Sequence, residues 1–216
     1  MDRLNQVVAF DLDGTLVNSA LHLLPAYHEG LARINHADLP DEILLQCIGG
    51  SQQDNHALVM PEASLETYRE YEQIIAECAH KYAKERGQCY PHMQESLDAL
   101  RAQGYLTVLC SNGTPEYALP LLAILGLSDH MDGIQKVITE RNKTEVLAAL
   151  IRDYDCSGHV VMVGDRHFDA EAAQNNNVPF IGCRYGLFPN EIAESHADAV
   201  INSPSELLEA VNRLLK

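Results

Sequence analysis

The chain has 216 residues, enough for one substantial domain or a core with a smaller insertion, and its 46% hydrophobic and 21% charged content excludes a disordered or fibrous protein. A formal net charge of −16 argues against nucleic acid or an anionic membrane surface as partner, although a cleft can still attract a small anion against the global sign. The longest apolar stretch, residues 118–127, contains Pro120 and Gly126 and is too short to span a bilayer.

In chain order, the opening MDRLNQVVAF reads as a first strand over residues 6–10 rather than a signal peptide, so a cytoplasmic location is expected. Further short, nearly continuous apolar runs at 106–110, 135–138, 159–163, 178–181 and 199–201 predict buried strands. Helical spacing falls between most of them: Met93, Leu97 and Leu100, ended by Gly104; Val146, Leu147, Leu150 and Ile151; and Leu207, Leu208, Val211 and Leu214. Strands alternating with helices predict an α/β fold whose parallel sheet is covered on both faces. Residues 18–86 break the alternation. They show helices only, with Tyr68, Tyr71, Ile75, Cys78 and Tyr82 on one stripe, and some 70 residues far exceed an ordinary βα connection. A separate helical domain is expected there, against the plainer alternative of helices lying on one sheet face. The six cysteines (Cys47, Cys78, Cys89, Cys110, Cys156 and Cys183) are irregularly spaced and form no CxxC pair, which reads as buried thiols in a reducing compartment.

Chemistry concentrates at the strand ends. Asp11-Leu12-Asp13-Gly14-Thr15 follows the first strand, where ligands bind in open parallel sheets. An ionised carboxylate can attack phosphorus without a helper base, and a second one can protonate the leaving oxygen and then deprotonate water. A plain Asp-Gly turn is the bland alternative. Ser111-Asn112-Gly113 follows the second core strand and suits a phosphate oxygen, although Thr114 or Ser111 could simply cap the helix that carries Pro115. Lys143 opens a later helix, and Arg141 and Lys136 compete for its role of offsetting phosphoryl charge. Gly164-Asp165-Arg166-His167-Phe168-Asp169 ends another strand with the hard oxygens that Mg²⁺ takes, or with ordinary capping acids. The four signals occur in order, each at a strand end or helix start, and several carboxylates beside a phosphate need both a divalent cation and a lysine. Together they predict one site. The segment Ile48-Gly49-Gly50-Ser51 reads as a glycine C-cap followed by a Ser51 N-cap near Asp54, in a loop that could also touch substrate.

These motifs resemble the haloacid dehalogenase superfamily, phosphatase branch, over essentially the whole length, and Arg184-Tyr185-Gly186 and residues 196–201 resemble the closing segments of phosphoglycolate phosphatase-like members. The resemblance implies a Rossmann-like core (1–17 and 87–216) with an inserted helical cap (18–86), acting on a small phosphorylated metabolite. It implies Asp11 as nucleophile and Mg²⁺ ligand, and Asp13 as general acid/base that lends its backbone carbonyl to the metal. It further implies Thr15, Ser111 and Asn112 as phosphate-binding residues, Lys143 as catalytic cation, Asp165 as Mg²⁺ ligand and Asp169 as outer support. Lys143 is not followed by proline, as is common in the family. Dehalogenase and phosphonatase readings fit poorly, since Asp13 has no place in the first and cap lysines are scarce for the second. A β-phosphoglucomutase-like enzyme, or a silent binding protein of the same fold, stands as the rival. The sequence sets no oligomeric state.

Overall fold

The computed structural model describes residues 6–134 and 142–215. Six parallel strands form one sheet in the order β3-β2-β1-β4-β5-β6: β1 (Val7–Phe10), β2 (Leu106–Leu109), β3 (Gly133–Ile134), β4 (Val160–Gly164), β5 (Phe180–Cys183) and β6 (Ala199–Ile201). The order reverses at β1, so β2 and β4 flank it, with Phe10 level with Leu109 and Val163. This is the switch point at which an open α/β sheet leaves a crevice beyond its strand ends. The α/β expectation with a helical insertion is met. The expected strand at 135–138 lies outside the described residues, as do Lys136 and Arg141. The fifth strand begins later than expected because the Val178 N–H closes the preceding helix onto Ala173 O, and Pro179 follows.

All four β1 residues are fully buried, because both sheet faces are covered. Val7 and Ala9 face one apolar cluster, with α7 (Lys143–Asp153) and α8 (His167–Asn175) supplying Val146, Leu147, Leu150, Ala172 and Ala173. Val8 and Phe10 face the other, which includes Met93, Leu97 and Leu100 of α5 (Met93–Ala102) and Leu207 and Val211 of α10 (Leu207–Leu214). Helices α6 (Pro115–Ile124) and α9 (Pro189–Glu194) complete the surround.

The second cluster runs on without a break into the insertion. There, α1 (Ala20–Arg33) lies along α4 (Leu65–Arg86), with α2 (Asp41–Gln46) and α3 (Gln52–Val59) between them in sequence. Tyr68, Tyr71, Ile75 and Cys78 are buried as the spacing predicts, whereas Tyr82 is half-buried and donates its hydroxyl to Glu29 at 2.8 Å. A side chain at Gly30 of α1 would come within 2.8 Å of the Tyr71 ring, so the two helices meet at a glycine. The chain leaves and re-enters the core side by side: Asn18 N donates to Gln88 O (3.0 Å) and Tyr90 N to Leu16 O (3.2 Å). Ser51 caps α3 as expected, accepting from Asp54 N at 3.2 Å.

Candidate active site

Strand pairing carries the first carboxylate to the sheet edge. Asp11 N donates to Val163 O (2.9 Å), which continues the β1–β4 ladder by one residue and fixes where the side chain begins. The chain then turns at Gly14, whose φ of +87° and lack of Cβ are both required. A Cβ there would lie 2.2 Å from Asp165 Oδ2. Asp165 follows β4 directly, and its carboxylate accepts from Leu187 N (2.8 Å) and from Thr15 Oγ1 (3.3 Å).

Asp11, Asp165 and Asp169 each bring a carboxylate oxygen within 4.8 Å of the other two. Lys143, first residue of α7, is aimed among them by its helix start, where Asn142 and Glu145 form a reciprocal capping box. Its Nζ donates to Asp11 Oδ1 and stands 2.9 Å from Asp169 Oδ1. All four side chains are at most 4% exposed. Burial pushes the Asp11 carboxyl up to about 7; Lys143 opposes the shift, and Asp169 and Asp13 add to it. Burial also raises Asp165, with Asp11 and Asp169 contributing. For Lys143, burial works against the charge, but the Asp11 and Asp169 carboxylates outweigh it and hold the ammonium firmly protonated.

A divalent cation fits this donor set. Three buried carboxylates face one ammonium, and Asp11 Oδ2 is buried without a hydrogen-bond partner among the described residues. Hard oxygens in this number are what Mg²⁺ takes, and buried negative charge left unmatched is costly.

Asp13 sits apart from that cluster of carboxylates. Its Oδ1 accepts from Ser19 Oγ (2.5 Å) and from the Tyr117 hydroxyl (2.7 Å), which leaves Oδ2 unbonded among the described residues. Burial raises its pKa, and the two donors pull it back down. The Tyr117 hydroxyl proton goes to Asp13, so the bond to His22 Nε2 (3.1 Å) requires the imidazole to donate. Burial lowers His22 to about 4, with His80 contributing, so this imidazole is neutral.

The remaining expected residues lie around the same opening. Thr114, not Ser111, caps α6, accepting from Tyr117 N (3.3 Å) with Pro115 in the first turn. Ser111 Oγ instead accepts from Gly113 N (3.0 Å). Asn112 donates to Gly49 O of the insertion (3.0 Å), and its Oδ1 is buried without a partner among the described residues. Arg166 also reaches the insertion. Its guanidinium donates to Gln46 O (3.3 Å) and Ile48 O, pairs with Glu191 (3.1 Å) and lies 3.8 Å over the Phe188 ring. Asp169 Oδ2 accepts from Arg166 N (3.1 Å), so the residue expected as outer support both opens α8 and faces Lys143.

Between Asp13 and the inserted helices lies a cavity of about 120 Å³. Its lining comes from α1 (Leu23, Tyr27), the Gly49–Gly50 loop, α4 (Tyr68, Glu72) and the Asn112–Thr114 turn. Ser19, His22, Tyr117 and Glu72 escaped the motif reading. Each lies inside a helix or just before one, and no sequence signal distinguishes it from an ordinary helical polar residue.

Residues 8–183 match the family described as haloacid dehalogenase-like hydrolase. A phosphoglycolate phosphatase from Yersinia pestis is 34% identical, over 94% of this chain and 92% of its own length. Among solved structures, a hydrolase from Pseudomonas syringae superposes with a TM-score of 0.84 at 20% identity, covering 98% of this chain and 100% of that one. A β-phosphoglucomutase from Clostridium difficile does so with a TM-score of 0.78 at 15% identity, covering 97% and 98%. At those identities the superpositions speak to fold.

Proposed function

The chain belongs to the haloacid dehalogenase-like hydrolases, and from that premise we propose that it is a Mg²⁺-dependent phosphatase that cleaves a small phosphate monoester through an aspartyl-phosphate on Asp11. The observation that carries the reading is the buried group of Asp11, Asp165 and Asp169 around Lys143, with Asp13 held separately nearby.

In this reading Asp11 and Asp165 hold Mg²⁺, with the Asp13 backbone carbonyl as a further ligand. When bound, the ion supplies positive charge that offsets the carboxylates and the phosphoryl oxygens. An Asp11 carboxylate oxygen attacks phosphorus and the bond to the alcohol oxygen breaks, while Asp13 gives its proton to the departing alkoxide. Water then attacks the acyl phosphate, Asp13 takes the water's proton, and phosphate leaves with Asp11 restored. Ser19 and Tyr117 pin one oxygen of Asp13, so the other is free to carry that proton in both directions. Lys143 steadies Asp11 and the phosphoryl charge, Thr15, Ser111 and Asn112 take phosphate oxygens, and Asp169 keeps Lys143 in place. Residues 18–86 act as a cap that excludes bulk water from the acyl phosphate, tied down through Arg166 and Asn112. The alcohol is a small group, of the size class of phosphoglycolate or a small sugar phosphate, over which such an insertion can close.

The test is phosphate release from an aryl phosphate with and without Mg²⁺. Turnover is expected only with the metal, with reversible loss on chelation and a fall of at least about 10³-fold in Asp11→Asn. Undiminished turnover in that variant would refute covalent catalysis at Asp11.

A further inference from the structure

On the phosphatase reading, the cavity beside Asp13 is where the alcohol half of the ester would lie, and its walls have a definite sign. Among the described residues lining it, the charged groups are two carboxylates, Asp13 and Glu72. The rest of the described wall is uncharged, with three tyrosines (Tyr27, Tyr68, Tyr117) and amides that include Gln52 and Asn112. Among the described residues, the two buried cations nearest the site are both committed. Lys143 is held by Asp11 and Asp169, and Arg166 by Glu191 and the carbonyls of Gln46 and Ile48. Burial raises the Glu72 carboxyl, and Gln52, Arg69 and His56 pull it back down; of these three Gln52 alone lines the cavity.

We infer that this cavity selects phosphate esters whose alcohol presents hydrogen-bond donors, an ammonium or hydroxyls, to Glu72, and discriminates against esters whose alcohol carries a carboxylate. The inference rests on the phosphatase reading above. Gln52 Nε2 donates to Glu72 Oε2, which orients the carboxylate without neutralising it, and leaves Oε1 to accept from a ligand. A substrate carboxylate here would face the Glu72 carboxylate in a partly dry space, with no cation among the described lining residues to meet it, and like-charge repulsion strengthens as water leaves. Tyrosine faces beside a carboxylate form a surface that favours an ammonium group. The 34% identical relative is named for phosphoglycolate, an ester with a carboxylate on its alcohol; on this argument the present chain differs from it in preference.

Three esters of the same backbone length isolate the head group: 2-aminoethyl, 2-hydroxyethyl and carboxymethyl phosphate, with 4-nitrophenyl phosphate as a measure of the chemistry alone. The expected kcat/KM order puts aminoethyl and hydroxyethyl at least about tenfold above carboxymethyl phosphate. In Glu72→Gln the ratio of aminoethyl to hydroxyethyl kcat/KM should shrink by about threefold or more. Carboxymethyl phosphate equal to or faster than the others, with aryl turnover intact, would overturn the inference and leave the phosphatase standing. An aminoethyl-to-hydroxyethyl ratio unchanged in Glu72→Gln would remove Glu72 as the selector. Absence of turnover on all four esters would bring down the phosphatase reading, and the inference with it.

Discussion

On the sheet side of the site, Asp11, Asp165, Asp169 and Lys143 are at most 4% exposed, and charge there is answered by charge. On the helical side the wall is tyrosine, glycine and uncharged amide, with Glu72 as the charge contributed by the insertion. The apolar cluster on the Val8 and Phe10 face runs from the core into the insertion without a break, so an interruption in packing does not make the difference. It lies in which positions each element offers. Strand ends and the turns after them bring short acidic side chains to one point, where they can share a cation. Long helices present a broad surface whose side chains define a shape. On the proposed function, chemistry is thus concentrated on one side and selection spread over the other.

Lys143→Met breaks the comparison hardest. It leaves Asp11 and Asp169 buried without their ammonium, so kcat on aryl phosphate at saturating Mg²⁺ should fall about 10²–10³-fold, and the metal-free protein should lose about 3 kcal/mol of stability in urea. The ranking of esters should not change; a change in ranking with kcat preserved would show that the two sides are not separable.

A smaller effect comes from His22, on the boundary between the sides. Its folded pKa of about 4 lies below the ordinary 6.5, so between those values the unfolded chain binds a proton that the folded chain refuses. Its contribution to stability is whole above about pH 6.5 and is lost as pH falls toward 4, amounting to roughly 2 kcal/mol by pH 5. Urea midpoints at pH 7 and pH 5 should therefore differ more in the native protein than in His22→Gln. Equal slopes would mean that the imidazole is not buried in the neutral form.

Tyr117→Phe sharpens the comparison with the smallest expected change. It removes one of two donors to Asp13 Oδ1 and leaves Ser19 in place, so kcat should fall about tenfold with KM within about threefold. A change confined to KM would assign Tyr117 to the cavity wall instead of to the positioning of Asp13.

Much of the sheet side was legible in the residue order. Strands with both faces buried must be apolar throughout, and a polar motif that follows such a run is pinned to the strand end. Asp11, Asp13 and Asp165 could be named for that reason, whereas Lys143 at a helix start stood beside Arg141 and Lys136 until the family resemblance singled it out. Thr114 against Ser111 as helix cap was a matter of local geometry that either residue type satisfies, and only the Tyr117 N–H shows which one serves. Asp169 could be given only a loose supporting role, because its pairing with Lys143 joins the starts of two helices, α7 and α8.

The sequence by itself determined the alternation that makes the sheet, the helical insertion after β1 and the acids at the strand ends, because each is written in local spacing and residue type. The tertiary structure alone decided that Tyr117, 104 residues from Asp13, holds that carboxylate, that Arg166 clasps the insertion, and that Glu72 looks into the cavity. These are meetings between elements far apart in the chain. A helix fixes which residues share its face, but only its packing against others fixes what that face meets.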